Sequence, residues 1–329
     1  MGKILIQNFS FFIFLLLFIL FTSCSNEDNS VSPQSDLTIR GIAVGIEGTI
    51  LCTTDFGDTW LLQKSGTQQT LRSIAFRNSK NIIIVGDSGI VLHTYDGGNN
   101  WIKKFSGKPE RLNGVLYFGR YIWIAVGNNG TILRSTNDGG TWSNQISGAE
   151  DYDINDITRS SGDTLIAVVT GGFILRSTDI GITWTMKRPS VAHLTAIDFV
   201  DANNGMAVGW NGEVLKTSDS GQSWKHLPSG TIDYIMGISF LNTDKIIAIA
   251  NYDSDNGKCL TSTNGGMDWT TRYSGSNGLY ALSFADTVYG VAVGLSGTIF
   301  RTTDGGVHWK NKFGITNSWL YGMCFSSSK

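Results

Sequence analysis

Cysteine, proline and surplus charge are all scarce in this chain of 329 residues. It contains four cysteines and four prolines, and 25 Lys and Arg residues nearly balance 27 Asp and Glu residues. The scattered basic residues exclude the basic surface of a nucleic-acid-binding protein. After Cys24 an odd number of cysteines remains (Cys52, Cys259 and Cys324), without a CxxC or Cys/His cluster. We therefore expect neither a disulfide framework nor a zinc site.

Long apolar runs are absent except at the N-terminus. Residues 11–21 are apolar throughout, Lys3 precedes them, and Thr22, Ser23 and Cys24 follow. This pattern resembles a bacterial lipoprotein signal, in which the cysteine is lipidated. The sequence predicts a signal peptide over 1–23, lipidation of Cys24, a flexible polar tether over 24–38 and a folded body over 39–329. An uncleaved membrane anchor over 4–22 is the alternative.

Glycine and tryptophan are plentiful, with 40 and ten residues, and suggest many short strands joined by tight turns. An octapeptide of the pattern Ser/Thr-x-Asp-x-Gly-x-Thr-Trp recurs every 40 to 45 residues. Its final tryptophans are Trp60, Trp101, Trp142, Trp184, Trp224, Trp269 and Trp309. A period of about 40–45 residues is typical of a four-stranded propeller blade.

Five of the seven periods also contain a Gly-x-x-Gly turn between two apolar runs, which predicts a tight hairpin. The sixth copy replaces this turn with the longer segment 251–257. A strand of the pattern Leu-x-x-Ile-x-Phe occurs, with variations, seven times. The last copy, 320–325, has no blade after it, whereas the first blade has no such strand before it. We expect an all-β, seven-bladed propeller of four-stranded blades, closed by the C-terminal strand completing blade 1.

The octapeptide has the chemistry of a self-contained turn. An Asp and a Ser or Thr can accept backbone N–H bonds, and Gly supplies a conformation that a side chain resists. The pattern resembles the Asp-box, or bacterial neuraminidase (BNR) repeat, which is a peripheral structural turn in sialidases and related propellers. The resemblance implies that turns are stabilised by Asp55, Asp96, Asp179, Asp219 and Asp304, and by Asn137 and Asn264 in the two copies that lack the acid.

The whole repeat, as in residues 283–309, resembles the propeller family typified by the photosystem II stability and assembly factors. The resemblance extends over residues 39–325. It implies a non-enzymatic, assembly-factor-like protein that binds a protein or peptide client. We therefore predict an exported scaffold propeller, lipid-anchored to a bacterial membrane and facing the periplasm or the cell surface. We expect a monomer that has no cofactor, no metal ion and no nucleic-acid partner.

The alternative function is a glycan-binding or carbohydrate-active propeller. A glycosidase needs two carboxylates across the channel, and the candidates are Glu150, Asp153, Asp156 and Asp233. A sialidase needs three arginines, but only Arg72 and Arg111 could face the channel entrance.

Three further patterns concern binding. A basic residue precedes five of the octapeptides (His93, Arg134, Arg176, Lys216 and Arg301). This ring could receive an acidic partner or could form ion pairs at the rim. Asp253 and Asp255 suggest calcium, but the spacing of an EF-hand fails. Trp210 and Trp319 are aromatic candidates for the ligand face.

Overall fold

The computed structural model describes residues 39–253 and 256–326. Within these ranges, 28 strands form seven four-stranded antiparallel sheets, so the predicted all-β seven-bladed propeller is confirmed. The predicted signal peptide, Cys24, the tether and Asp255 lie outside the described residues. In the described part of the chain, no helix has the length and apolarity needed to cross a bilayer.

The strands are named here by their position in the blade, counted outward from the channel. The inner strands of blades 1 to 7 are Leu320–Phe325, Leu71–Phe76, Leu112–Gly119, Ile154–Arg159, Leu194–Phe199, Tyr234–Phe240 and Leu279–Phe284. The second strands are Gly41–Gly45, Ile82–Gly86, Ile122–Gly127, Leu165–Val169, Gly205–Gly209, Ile246–Asn251 and Gly290–Gly294. The third strands are Ile50–Thr53, Ile90–Thr94, Ile132–Ser135, Phe173–Ser177, Val214–Thr217, Asn256–Ser262 and Ile299–Thr302. The outer strands are Leu61–Gln63, Ile102–Phe105, Ser143–Gln145, Thr185–Lys187, Lys225–His226, Thr270–Ser276 and Lys310–Asn311. Single 3-10 turns occupy Ile46–Gly48, Asp87–Gly89, Thr170–Gly172, Trp210–Gly212 and Leu295–Gly297.

The ring is closed by the last strand of the chain. Leu320–Phe325 pairs with the second strand of blade 1, in a register that joins Gly41 to Phe325 and Ala43 to Met323. Leu320, Met323 and Phe325 pack between Leu51 of blade 1 and Val291 of blade 7. This strand therefore supplies both the missing sheet partner of blade 1 and its contact with blade 7, as predicted.

The core lies between blades rather than in one centre. The second strands are buried along their whole length, because each blade packs on both faces against its neighbours, whereas the outer strands are mostly exposed. One core cluster, for example, combines Ile83 and Val85 of blade 2 with Leu112 and Trp123 of blade 3. Continuous apolar second strands are what burial on both faces requires.

The Gly-x-x-Gly turns differ in one detail from the predicted hairpin. The central residues of the first are Glu47 and Gly48, with φ of 54° and 67°, rather than the two x residues. The leading Gly45 is extended, but a Cβ atom there would lie 1.9 Å from the carbonyl oxygen of Trp319. The leading glycine is thus required because the turn approaches the chain that enters the inner strand.

The propeller has two chemically different faces. The upper face is formed by the Gly-x-x-Gly turns and by the segments that lead into the inner strands. The lower face is formed by the octapeptide turns and by the turns between inner and second strands. Both ends of the described chain meet on the lower face, where the amide of Ser326 donates to the carbonyl of Arg40 (2.7 Å).

Candidate binding face

The octapeptides form closed hydrogen-bonded turns on the rim of the lower face. In blade 5, Oδ1 of Asp219 accepts the amide of Ser223 (2.9 Å) and the hydroxyl of Thr217 (2.8 Å), and the amide of Gly221 donates to the Thr217 hydroxyl (3.0 Å). The Ser223 hydroxyl, which bonds the other carboxylate oxygen, contributes most to a lowered pKa of about 2 for Asp219. The carboxylate is therefore occupied by its own turn.

The two copies with asparagine build the same turn. The side-chain oxygen of Asn137 accepts the amide of Thr141 (2.9 Å), and its Nδ2 donates to the Thr141 hydroxyl (3.0 Å). Asn264 repeats this arrangement with Asp268. The tryptophans pack beside the turns, and the indoles of Trp60, Trp184 and Trp309 donate to the glycine carbonyl of their own octapeptide at 3.2 Å.

The basic residues that precede the octapeptides reach into the next blade. Four of the five, all except His93, donate to the main-chain carbonyl at the fourth position of the neighbouring octapeptide. The pairs are Arg134 to Ile180 (2.9 Å), Arg176 to Ser220 (2.9 Å), Lys216 to Gly265 (2.9 Å) and Arg301 to Phe56 (2.8 Å). These side chains connect consecutive blades below the core.

Blades 1 and 2 depart from this pattern. His93 is fully buried, which lowers its pKa to about 4, and its Nε2 lies 2.8 Å from Oδ1 of Asn81. In blade 1, where Cys52 holds the basic position, the guanidinium of Arg40 donates to the carbonyl of Gly97 instead. Sequence reasoning missed Arg40 because it lies before the second strand, outside the octapeptide register.

The four candidate catalytic carboxylates lie apart. Asp156 faces the channel, and its two oxygens accept the amides of Ile157 (2.8 Å) and Ile197 (3.0 Å). Burial raises the pKa of Asp156 to about 7 against the opposing effect of these two bonds. Asp233 is buried and forms an ion pair with Lys258 (2.6 Å).

The other two carboxylates lie at the edge of blade 4. Glu150 is exposed and accepts the amide of Gly148 (3.2 Å), and Asp153 accepts the amide of Asn129 (3.1 Å). Asp156 and Asp233 line different cavities, of about 250 and 770 Å³ respectively. Among the described residues, no three His, Cys, Asp or Glu side chains come together as a possible metal site.

The channel opens on the upper face into a cavity of about 310 Å³. The residue that follows the first leucine or isoleucine of each inner strand lines its mouth: Arg72, Asn113, Asn155, Thr195, Met236, Tyr280 and Tyr321. Successive side chains of a strand point to opposite sides, so this position faces the mouth in every blade. One half of the mouth is polar, and the half formed by blades 6, 7 and 1 is apolar or aromatic.

An exposed aromatic patch adjoins the mouth over blades 5 and 6. Trp210 is 41% exposed and packs between His193 (ring centroids 4.5 Å apart) and Tyr234 (5.1 Å), with its ring tilted against both. Ile232 and Tyr252, 75% and 61% exposed, line a neighbouring groove of about 770 Å³. These five residues form the blade 5–6 patch. Exposed aromatic clusters of this kind mark protein interaction sites.

The opposite side of the mouth carries a charged cluster. Arg72 and Arg111 both bind Asp87, through Nη2 to Oδ2 (3.2 Å) and Nε to Oδ1 (3.1 Å) respectively. Burial would raise the pKa of Asp87, but the two guanidiniums outweigh it and hold the pKa below its usual value. The guanidinium of Arg72 also lies 4.9 Å from the ring centre of Tyr321.

Sequence reasoning identified Trp210 as a ligand-face aromatic but missed the side chains that accompany it. Trp319, its other candidate, is 43% exposed beside the first Gly-x-x-Gly turn. The missed residues are His193, Tyr234, Tyr280 and Tyr321. Tyr280 and Tyr321 were available from the pattern, because each is the first x of a Leu-x-x-Ile-type inner strand.

Comparisons with known proteins support the predicted resemblance. The family model of the photosynthesis system II assembly factor YCF48 matches residues 34–191, which contain blades 2 to 4 and the second, third and outer strands of blade 1. A structure described as YCF48 bound to D1 peptide has a TM-score of 0.66 at 21% identity, covering 80% of this chain and 88% of that one. YCF48 from Cyanidioschyzon merolae gives 0.60 at 19%, with coverages of 76% and 87%.

A glycoside hydrolase also shares the fold. The GH74 enzyme of Niastella koreensis gives a TM-score of 0.53 at 15% identity, covering 87% of this chain and 69% of that one. At such identities the structural matches show the fold alone. No curated protein matches the sequence. The resemblance to the assembly-factor propellers is confirmed by the family model and by the fold.

Proposed function

We propose that this chain is a non-catalytic binding propeller that holds a protein or peptide client on its upper face and is anchored to a bacterial membrane by a lipid at Cys24. The observation that carries the proposal is the blade 5–6 patch beside the mouth of the channel. A half-exposed indole between two rings offers a large, preorganised contact area at little entropic cost. The solved YCF48 complex with a D1 peptide supports a peptide as the class of client.

The environment of the acidic residues supports binding over hydrolysis. A retaining or inverting glycosidase needs two carboxyl groups across one substrate site. Here Asp156 is bonded to two backbone amides and Asp233 to Lys258, in different cavities. The mouth itself offers amide, hydroxyl and aromatic groups, which suit recognition rather than acid–base chemistry.

The client can be identified and the face tested in one experiment. The chain is used to capture clients from envelope extracts, and peptides from the captured protein are then titrated by calorimetry. Trp210→Ala and Tyr234→Ala should each weaken binding by a factor of about 30, the loss typical of an interface hot spot. Ile146→Ala and Phe313→Ala, which shorten side chains 81% and 83% exposed elsewhere, are the matched controls and should have no effect.

Two results would contradict the proposal. One is client binding that survives Trp210→Ala and Tyr234→Ala unchanged. The other is hydrolysis of a glycan by the wild-type chain that disappears in Asp156→Asn, which would favour the carbohydrate-active alternative.

A further inference from the structure

The lower face carries a basic and aromatic surface that client binding on the upper face does not use. Its members are Arg77, Lys80, Tyr95, Arg120 and Tyr121, named here the lower basic patch. Tyr95 and Tyr121 are 49% and 54% exposed, and Lys80 and Arg120 are exposed. The guanidinium of Arg77 lies 4.3 Å from the ring centre of Tyr121, which joins the turns of blades 2 and 3 into one surface.

Two members of the patch, Arg120 and Tyr121, adopt a strained backbone conformation in which their side chains reach solvent. Arg120 and Tyr121 have φ of 53° and 63°, in the left-handed region that residues with large side chains rarely adopt. The amide of Asp138 donates to the carbonyl of Tyr121 (2.9 Å) and fixes this turn. The strained turn directs an arginine and a tyrosine toward solvent instead of toward the core.

Charge is unevenly distributed over the lower face. Asp138 neutralises Arg77, which leaves Lys80 and Arg120 as the exposed cations of the patch. On the other side of the ring, the corresponding turns of blades 4 to 7 present exposed Asp163, Asp201, Asp244 and Asp286. These four acids are accompanied by two cations, the exposed Arg159 in the turn of Asp163 and Lys245 beside Asp244. The lower face therefore has a basic half and an acidic half, and an anionic surface would be attracted to only one of them.

The point where the N-terminal segment joins the propeller lies next to the basic half. Arg40 bonds the carbonyl of Gly97, two residues after Tyr95 in the same turn. Seventeen residues, 22–38, separate the apolar stretch 11–21 from Ile39. They can span at most roughly 60 Å. If either the apolar stretch or a lipid on Cys24 is inserted in a membrane, this segment is short enough to keep this side of the propeller near that membrane.

We propose that the lower basic patch rests on the headgroups of an anionic membrane, with the upper face turned away from it. Lysine and arginine are attracted to anionic headgroups, and tyrosine rings partition into the same interfacial layer. The inference builds on the proposed membrane attachment, but the patch is made of propeller residues alone and can be tested without the N-terminal segment.

The test is vesicle co-sedimentation of residues 39–329, which contain all seven blades and the closing strand. Vesicles of phosphatidylglycerol with phosphatidylethanolamine should bind the protein, and vesicles of phosphatidylcholine should not. Removing both cations in Lys80→Gln/Arg120→Gln should weaken binding about 25-fold, at about fivefold per cation. The control Lys64→Gln/Lys108→Gln removes the same charge near the upper face and should bind as the wild type does.

A second variant tests the aromatic part without removing charge. Tyr95→Ser/Tyr121→Asn should also reduce binding, and Asn tolerates the left-handed conformation, so the turn should still fold. In the full-length chain on the same vesicles, amide hydrogen exchange of 77–81 and 119–121 should slow relative to the chain in detergent. Slowing at the Gly-x-x-Gly turns instead would place the wrong face on the membrane and overturn the proposal.

Two further outcomes would also overturn it. Equal binding by the wild type and Lys80→Gln/Arg120→Gln would show that the patch is not the contact. Binding of a soluble polyglutamate as tight as binding to the vesicles would identify an acidic protein as the partner. Client capture depends on the upper face and should be unchanged in these variants, so failure here is distinguishable from failure of the proposed function.

Discussion

Removing the closing strand should abolish the stable ring. The perturbation is a chain that ends at Trp319 and lacks residues 320–329. Leu320, Met323 and Phe325 are 0%, 7% and 3% exposed, and burying each such side chain contributes about 1.5–3 kcal/mol. Their loss amounts to about 5–9 kcal/mol, comparable with the whole stability of about 5–15 kcal/mol that domains have. The amides and carbonyls of the second strand of blade 1 that face the closing strand would lose their partners as well.

Two matched point substitutions distinguish the loss of ring closure from the loss of core packing elsewhere in the ring. Leu320→Ala and Leu112→Ala each shorten a fully buried leucine at the start of an inner strand, and each should cost about 2–5 kcal/mol. Leu320→Ala should speed amide exchange in Gly41–Gly45 and Gly290–Gly294, which lie on either side of the closing strand. Leu112→Ala should instead speed exchange in the second strands of blades 2 and 3.

The assays are equilibrium urea denaturation followed by tryptophan fluorescence, and hydrogen exchange read by mass spectrometry. A synthetic peptide of residues 318–329, added in trans, should restore the truncated chain in part. If the truncated chain keeps the wild-type midpoint and the wild-type protection of Gly41–Gly45, the closing role assigned to the last strand is wrong.

Four further predictions can be checked by urea denaturation. Several octapeptide carboxylates have a folded-state pKa of about 2, below the ordinary value of 3.8, so their stabilisation is present above about pH 4 and is lost as the pH falls toward 2. Asp219→Asn should reduce this acid sensitivity and should change stability at pH 7 by less than about 1 kcal/mol, because Asn137 builds the same turn and solvent reaches the partly exposed side chain. Gly86→Ala should cost about 1–3 kcal/mol or more, because its Cβ would lie 2.0 Å from the carbonyl oxygen of Thr70. Arg176→Met, which leaves the carbonyl acceptor in blade 5 without its charged donor, should cost about 1.5–3 kcal/mol, and an unchanged midpoint would argue against a connecting role. The folded-state pKa of Asp156, about 7, lies above the ordinary value of 3.8, so stability falls as the pH rises from about 4 to about 7 and levels off above that; Asp156→Asn should therefore flatten the difference between pH 5.5 and pH 8.

The fold was predictable because its signals are local. The octapeptide and the Gly-x-x-Gly turn require particular residues where φ is positive or the backbone of another segment is close, as at Gly48 and Gly45. Because these requirements recur in successive blades, they appear in the sequence as a repeat. The count of inner strands then determined closure, because Leu320–Phe325 had one possible partner.

The binding face was less predictable because no backbone requirement constrains it. The residues at the channel mouth vary around the ring, from Arg72 to Met236 to Tyr321, so no single residue type marks the position in the repeat. The meeting of His193, Trp210 and Tyr234 depends on how blades 5 and 6 lie against each other. Spacing along the chain does not contain that information.

The links between consecutive blades end on main-chain oxygens, and this has a consequence for how such a ring can diversify. The acceptors belong to residues as different as Phe56, Ile180, Ser220 and Gly265, since a carbonyl is the same whatever side chain it accompanies. A duplicated or exchanged blade would therefore find its neighbour without a matching substitution. Blades joined in this way can diverge widely in sequence while the closed ring is preserved.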